Sequence, residues 1–431
     1  MTALPLAGQP VSSVDEVPGF RRVPRTGVIY VMSRAAEMGY GTDGRDWINL
    51  GQGSPELGPL PGAPDRPEDL HLPVEDLAYG PVDGLPDLRA AVADFYNHFY
   101  RRGLPSRYTA ENVCIAPGGR SAMARVAAAL GPSNLGHFIP DYTAYEELLG
   151  TFRGFIPIPI LVDPGSRRRA TEAELEEEIL GRGLSAVLCS NPCNPTGQVV
   201  SGERLAGWVD VGRRNACSLI FDEFYSHYLY SSKGLGHESD PPMVSAARYV
   251  EDVDRDPVIL VDGLTKNWRL PGLRISWIVG PRPVIEQVTS AGSFLDGGAN
   301  HPFQEAAIPL LEPSNAAMET RAIQSCFAEK RRKLLAGLAD LGVAVDQEPE
   351  GAFYVWGSLE NLPDALCDGS KFFEAALHQR VITVPGVFFD VNPGQRRVNA
   401  RYGSYTRFSF GPEWPRIEEG LRRIKELIER A

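Results

Sequence analysis

The chain has 431 residues, with 43 Lys or Arg against 55 Asp or Glu, for a formal net charge of −12. That acidity speaks against a nucleic acid or an anionic membrane as partner, because either asks for a basic face. No apolar run approaches the length of a membrane span, and the length allows about two to three domains with sizeable cores.

The six cysteines (Cys114, Cys189, Cys193, Cys217, Cys326 and Cys367) are scattered without paired-ligand spacing. The seven histidines are equally dispersed. Free thiols of a reducing, cytoplasmic compartment are expected, with no metal. Met1 to Thr26 lacks the basic start and apolar core of a secretory signal and reads as a partly ordered arm.

Residues 1–48 form a Pro/Arg-containing arm with one helix expected from Ile29 to Met38. Ile48 to Pro55 reads as a short strand breaking into a Gly/Pro turn, and residues 56–76 as an irregular connection. Leu85, Leu88, Ala91, Val92, Phe95 and Tyr96 recur at helical spacing, which predicts an amphipathic helix to Tyr100. Short apolar strands then alternate with helices. The strands are Val113–Ile115, Phe138–Ile139, Ala186–Cys189, Leu219–Phe221, Val258–Val261 and Ile275–Val279. The helices are Ser121–Leu130, Tyr142–Leu149 and Gly202–Asn215. Nearly continuous apolar strands between helices predict an α/β fold with a mostly parallel sheet sandwiched by helices.

After about Pro281 the pattern changes to two long helices, Val284–Leu311 and Met318–Leu341. A strand Phe353–Trp356, a helix Lys371–Gln379, strands at Val384–Gly386 and Thr406–Phe410, and a helix Arg416–Glu429 come next. This predicts a smaller α+β domain. The expected division is an arm at 1–48, a connection at 49–75 joining the small domain, a large domain at 76–290, and residues 291–431 as interdomain helix and small domain.

Ligands of open parallel sheets bind beyond the carboxyl ends of the strands. The residues just past each strand are Gly118-Gly119-Arg120, Asp141-Tyr142, Asn191 to Pro195, Asp222 with Tyr225, Lys266, and Arg274. These suit one ligand with a phosphate, a flat ring, a ring nitrogen, a phenolic oxygen and an aldehyde, which is pyridoxal 5'-phosphate. Lys266 would form the Schiff base and Asp222 would pair with the ring nitrogen. Asn194 and Tyr225 would bond the phenolic oxygen, and Tyr142 would stack on the ring. Gly119 and Arg120, at a helix start, and Arg274 would hold the phosphate. Each has an ordinary reading too. Asn194-Pro195-Thr196-Gly197 also suits a plain turn, Asp222 a helix cap, and Tyr142 simple packing.

Read together, the pieces resemble the class I/II aminotransferases, fold-type-I enzymes, over nearly the full length. The matching pieces are Tyr79 to Gly84 with Leu88-Arg89, Pro117 to Arg120, Pro140 to Tyr142, Asn191 to Gly197, Asp222 to Tyr225, Gly263 to Lys266 with Arg274, and Tyr405 to Phe410. The resemblance implies three further roles. Arg407 would grip the substrate α-carboxylate, although it also reads as one surface arginine among Arg396, Arg397 and Arg401. Tyr79 would reach the cofactor phosphate of a neighbouring subunit, implying a homodimer with shared sites. Gly53 would edge the substrate pocket.

Some positions depart from the family. Gly263 stands where many relatives carry a phosphate-binding serine, though Thr265 keeps a hydroxyl beside the lysine. Arg120 replaces a commonly small hydroxylated residue. Arg269 replaces a small residue, and Ser276 a Gly or Ala. Arg269 is therefore a candidate for substrate selection, with a structural ion pair as the competing reading. The loop Ser293–Asn300, with its paired glycines, is expected to line the substrate channel. Glu223, His227 and Tyr228 come directly after Asp222 and suit either the pocket floor or packing.

The expected function is a pyridoxal-phosphate-dependent aminotransferase moving an amino group between an α-amino acid and a 2-oxo acid, with Lys266 as general base. The alternative is a β-eliminating C–S lyase, or a decarboxylating or oxidative deaminase of a natural-product pathway, on the same machinery. A ligand-sensing regulator would need a basic DNA-binding extension, and a dead scaffold would tolerate loss of Lys266 or Asp222.

Overall fold

The computed structural model describes residue 20 and residues 27–42, 46–161, 169–230 and 240–431. Most of the expected arm before Gly27 lies outside them. An N-terminal helix α1 (Gly27–Glu37) and a two-residue strand β1 (Ile48–Asn49) lead to α2 (Pro86–Phe99). The alternating part continues as β2 (Val113–Ala116), α3 (Gly119–Ala129), β3 (Asn134–Ile139), α4 (Ala144–Thr151), β4 (Ile156–Leu161), α5 (Glu172–Arg182), β5 (Leu184–Ser190), α6 (Gly202–Arg214) and β6 (Ser218–Asp222). Then come β7 (Val258–Gly263), a short helix α7 (Leu264–Asn267), and β8 (Ser276–Val279).

These strands make one seven-stranded sheet in the order β2-β8-β7-β6-β5-β3-β4. Its pairs are parallel except that β8 runs antiparallel to both neighbours. Every residue of β2, β7 and β8 is buried, as is required of strands covered on both faces. Helix α3 supplies Ala122, Met123 and Val126 to one apolar cluster, and α6 supplies Leu205, Trp208 and Val209 to another. Trp208 stacks on Phe138 with ring centroids 5.4 Å apart. Register brings the carboxyl ends of the central strands level. Ser190 pairs with Asp222, and Asp222 with Val261.

Beyond β8 lie α8 (Arg282–Leu295), α9 (His301–Ala307) and the 28-residue α10 (Pro313–Asp340). The chain then forms β9 (Ala344–Val345), β10 (Tyr354–Ser358), α11 (Gly369–His378), β11 (Val381–Ile382), β12 (Val384–Pro385), β13 (Tyr405–Ser409) and α12 (Trp414–Glu429). Strands β12-β13-β10-β9 form a smaller antiparallel sheet. Strand β1 pairs in parallel with β11, Ile48 opposite Val381, so the N-terminal side of the chain joins the C-terminal elements.

The structure departs from expectation in several elements. Strand β4 and helix α5 were not anticipated. The long helix expected from Val284 to Leu311 breaks after Leu295, because Gly297 and Gly298 take φ of +74° and +111°. Helix α9 restarts at Asn300, whose side chain accepts from the Phe303 N–H at 3.2 Å. Lys266 lies on the short helix α7, directly after β7. Among the described residues, no helix is long and apolar enough to cross a membrane. All six cysteines are free, four buried and two half-buried.

Candidate active site

A cavity of about 830 Å³ opens at the carboxyl ends of β5, β6 and β7. Nine of the expected residues line it: Gly119, Arg120, Tyr142, Asn194, Asp222, Tyr225, Thr265, Lys266 and Arg274. They come from separate strand ends, and the level register is what brings them together.

At the end of β6, Asp222 is buried, and its Oδ2 accepts a 2.7 Å hydrogen bond from the Tyr145 hydroxyl on α4. Burial pushes its pKa up to about 7, with the Tyr145 bond and the nearby Lys266 opposing. Lys266 moves the other way. Burial and then the positive charges of Arg407, Arg274 and Arg120 push its pKa down to about 7, against the pull of Asp222. Its amine donates to the Gly53 carbonyl. Gly53 therefore meets the site through its backbone, and a Cβ there would stand 3.0 Å from the Tyr354 hydroxyl.

Asn191 pins the loop after β5, exchanging 2.9 Å hydrogen bonds with the Val200 carbonyl and N–H. That loop presents Asn194, whose Oδ1 accepts from Arg407 Nη1 at 2.7 Å. Arg407, on β13, is buried, donates to the Gly51 carbonyl at 2.6 Å, and lies 4.1 Å over the Tyr354 ring. Its Nε has no partner. Tyr225 and Tyr354 share a 2.8 Å hydroxyl contact. Among the competing arginines, Arg397 is engaged with Asp390 at 2.7 Å.

The anion end is built by the turn after β2. Gly118 has φ +93°, and a Cβ there would collide with the Arg274 guanidinium. A Cβ on Gly119 would stand 2.5 Å from the Phe224 ring. Only glycines leave this backbone bare, next to a guanidinium and the first N–H groups of α3. Arg120 is exposed at the same cavity. Thr265 Oγ1 is buried and has no hydrogen-bond partner.

Arg269 is a correction. It takes φ +55° and turns away from the cavity, fully buried. Its guanidinium bonds Glu319 on α10 at 2.8 Å and the carbonyls of Glu56 and Gly58 at 3.0 and 2.7 Å. It ties three segments together, with Nη2 left unpartnered, and does not line this cavity. Tyr79 is 100 % exposed and outside this chain's cavity. The loop Ser293–Asn300 does not line that cavity either, and Phe294 is exposed. Glu223, His227 and Tyr228 pack behind the site. Burial lowers the His227 pKa to about 3, and the Tyr228 hydroxyl donates to the Lys266 carbonyl at 3.0 Å.

Sequence reasoning missed Tyr145 and Tyr354, which touch Asp222, Tyr225 and Arg407. It also missed the apolar wall of Val28, Ile29, Met123, Leu148 and Phe152. Tyr145 was findable, three residues after Tyr142 on a predicted helix and hence its near neighbour. Tyr354 carried no signal, because its partners come from segments far away in sequence.

The residues present fit pyridoxal phosphate. They offer an amine of lowered basicity, a buried carboxylate, an orphaned buried hydroxyl, and a bare glycine turn under a guanidinium. The comparisons agree. The sequence model of aminotransferase class I and II matches residues 45–405. A valine–pyruvate aminotransferase of Mycobacterium tuberculosis is 29% identical over 387 residues, covering 88% of this chain and 90% of the relative. An aspartate aminotransferase of Streptomyces avermitilis is 26% identical, covering 82% of each. The structure of the Thermus thermophilus aspartate aminotransferase with maleate superposes with a TM-score of 0.76 at 22% identity, over 95% of this chain and all of that one. The fold is that of the fold-type-I, pyridoxal-phosphate-dependent enzymes. Within that class, the chain belongs to the class I and II aminotransferase family, and it is a transaminase.

Proposed function

We propose that Lys266 both holds the cofactor and carries the proton in an amino transfer from an α-amino acid to a 2-oxo acid. The observation that carries this reading is the Lys266 amine, with a pKa near 7, in one cavity with Asp222, Asn194 and Tyr225. An amine of that basicity exists in both forms near neutral pH, so it takes and returns a proton with little bias. Pyridoxal phosphate supplies the electron sink for the charge left when the substrate carbon loses its proton.

The other residues orient and hold. Asp222, desolvated and bonded by Tyr145, favours a cation beside it, as a protonated ring nitrogen would be. Tyr225 and Asn194 offer hydrogen bonds to a ring oxygen, and Tyr142 offers a ring face. Gly119, Arg120, Thr265 and Arg274 surround the anion end. Arg407 is locked by Asn194 and Gly51 with Nε unspent, which suits a carboxylate. Gly53 borders the substrate side.

The same reading makes the enzyme a cytoplasmic homodimer. Fully exposed Tyr79 would serve the neighbour's phosphate, and six free thiols suit a reducing compartment. Replacing Lys266 with Ala should abolish turnover and the cofactor-linked absorbance, and retained turnover would sink the assignment. A panel of amino acids then identifies the donor. Release of one 2-oxo acid per site with the nitrogen retained on the enzyme marks transfer, whereas free ammonia marks the eliminating or deaminating alternative.

A further inference from the structure

We propose that the Ser276 hydroxyl belongs to the cradle for the cofactor's phosphate. Ser276 opens β8, the strand between β2 and β7 at this edge of the sheet. It pairs with Ala116 on one side and with Gly263 on the other. Ala116 leads into the Pro117-Gly118-Gly119 turn, and Gly263 leads into Leu264-Thr265-Lys266. Ser276 thus lies between the two segments that build the anion end, the turn after β2 and the start of α7, two residues beyond Arg274.

Three observations point to a ligand. The Ser276 side chain is fully buried, and its Oγ has no hydrogen-bond partner in the protein. Buried hydroxyls are seldom left so without something to complete them. Thr265 Oγ1, on the neighbouring helix α7 and lining the cavity, is orphaned in the same way. Finally, Ser276 Oγ stands 2.5 Å from where a Cβ on Gly263 would lie. The same Cβ would also meet the Ile275 carbonyl oxygen and the Ser276 Cα at 2.6 Å, so position 263 has no room for a side chain whatever stands at 276, and the Ser276 hydroxyl lies against its bare backbone.

The inference rests on the family's cofactor and not on which amino acid is the substrate. Its test measures equilibrium binding to the cofactor-free protein by absorbance, with pyridoxal phosphate and with pyridoxal, which lacks the phosphate. Ser276→Ala should weaken pyridoxal phosphate about tenfold and leave pyridoxal unchanged, as loss of one hydrogen bond to a charged group requires. Gly263→Ser alone should lower the melting temperature through the collision. A loss of less than about threefold for pyridoxal phosphate, or an equal loss for pyridoxal, overturns the proposal. Failure of wild-type protein to form a lysine-linked chromophore with pyridoxal would instead count against Lys266.

Discussion

The lowered basicity of Lys266 makes a prediction about stability that is independent of turnover. Replacing Lys266 with Met keeps the length of the side chain and removes a charge that the cavity disfavours. An exposed lysine ionises near 10.5, whereas Lys266 does so at about 7 because of burial and the three nearby arginines. Below pH 7 the folded protein carries an ammonium in an unfavourable place, and the unfolded chain carries the same charge freely. The penalty is therefore full below about pH 7, shrinks between 7 and 10.5, and vanishes above. The interval corresponds to at most about 5 kcal/mol at pH 6 and under about 1 kcal/mol at pH 10. For a chain of this size that is roughly 5 °C of melting temperature. The Nζ bond to the Gly53 carbonyl is lost at both pH values and cancels in the comparison. The assay is calorimetry of cofactor-stripped wild type and Lys266→Met at pH 6 and pH 10. A gain of the same size at both pH values, or none at pH 6, would refute the account of the lysine's environment.

Arg407→Lys keeps the charge and loses the fork, so kcat/KM for the preferred amino acid should fall about 10- to 100-fold, chiefly through KM; unchanged kinetics would remove Arg407 from carboxylate binding. Arg269→Met leaves Glu319 buried with only the 3.2 Å contact from Arg66, and should cost about 3 kcal/mol in a denaturant melt. The ratio of kcat/KM between an acidic and a neutral amino acid should not move in that variant. A shifted ratio would return Arg269 to substrate selection.

How legible a residue's role is in the sequence depends on how far away along the chain its partners lie. The strands feeding the site are buried on both faces, so each is a bare apolar run, and the polar residues after it stand out. Lys266, Asp222 and Asn194 were found in that way. Strand β4 was missed because Pro157 and Pro159 interrupt its pattern, yet it is the edge strand, where the lost N–H groups matter least. Helix α5 did carry a signal, the Thr171–Glu174 capping box that the structure shows closed on both sides. The break after Leu295 was visible as Gly297-Gly298, but the apolar spacing continues across it. Arg269 was unreadable for a different reason. Its φ of +55° aims the side chain at α10, and nothing local announces that a non-glycine residue will turn that way.

Gly263 and Ser276 show how register converts oddities into a mechanism. Taken singly along the chain, a missing serine and an extra one are separate substitutions, each open to a neutral explanation. They are thirteen residues apart, and only antiparallel pairing across β7 and β8 puts them opposite each other. Once opposite, a Cβ at 263 would meet the Ser276 hydroxyl at 2.5 Å and the Ile275 and Ser276 backbone at 2.6 Å, so the backbone itself demands glycine there. The hydroxyl nearest to that bare position is the one on Ser276, buried and without a partner in the protein. That is why Ser276→Ala, read with pyridoxal phosphate against pyridoxal, is the decisive test of how this chain holds its cofactor.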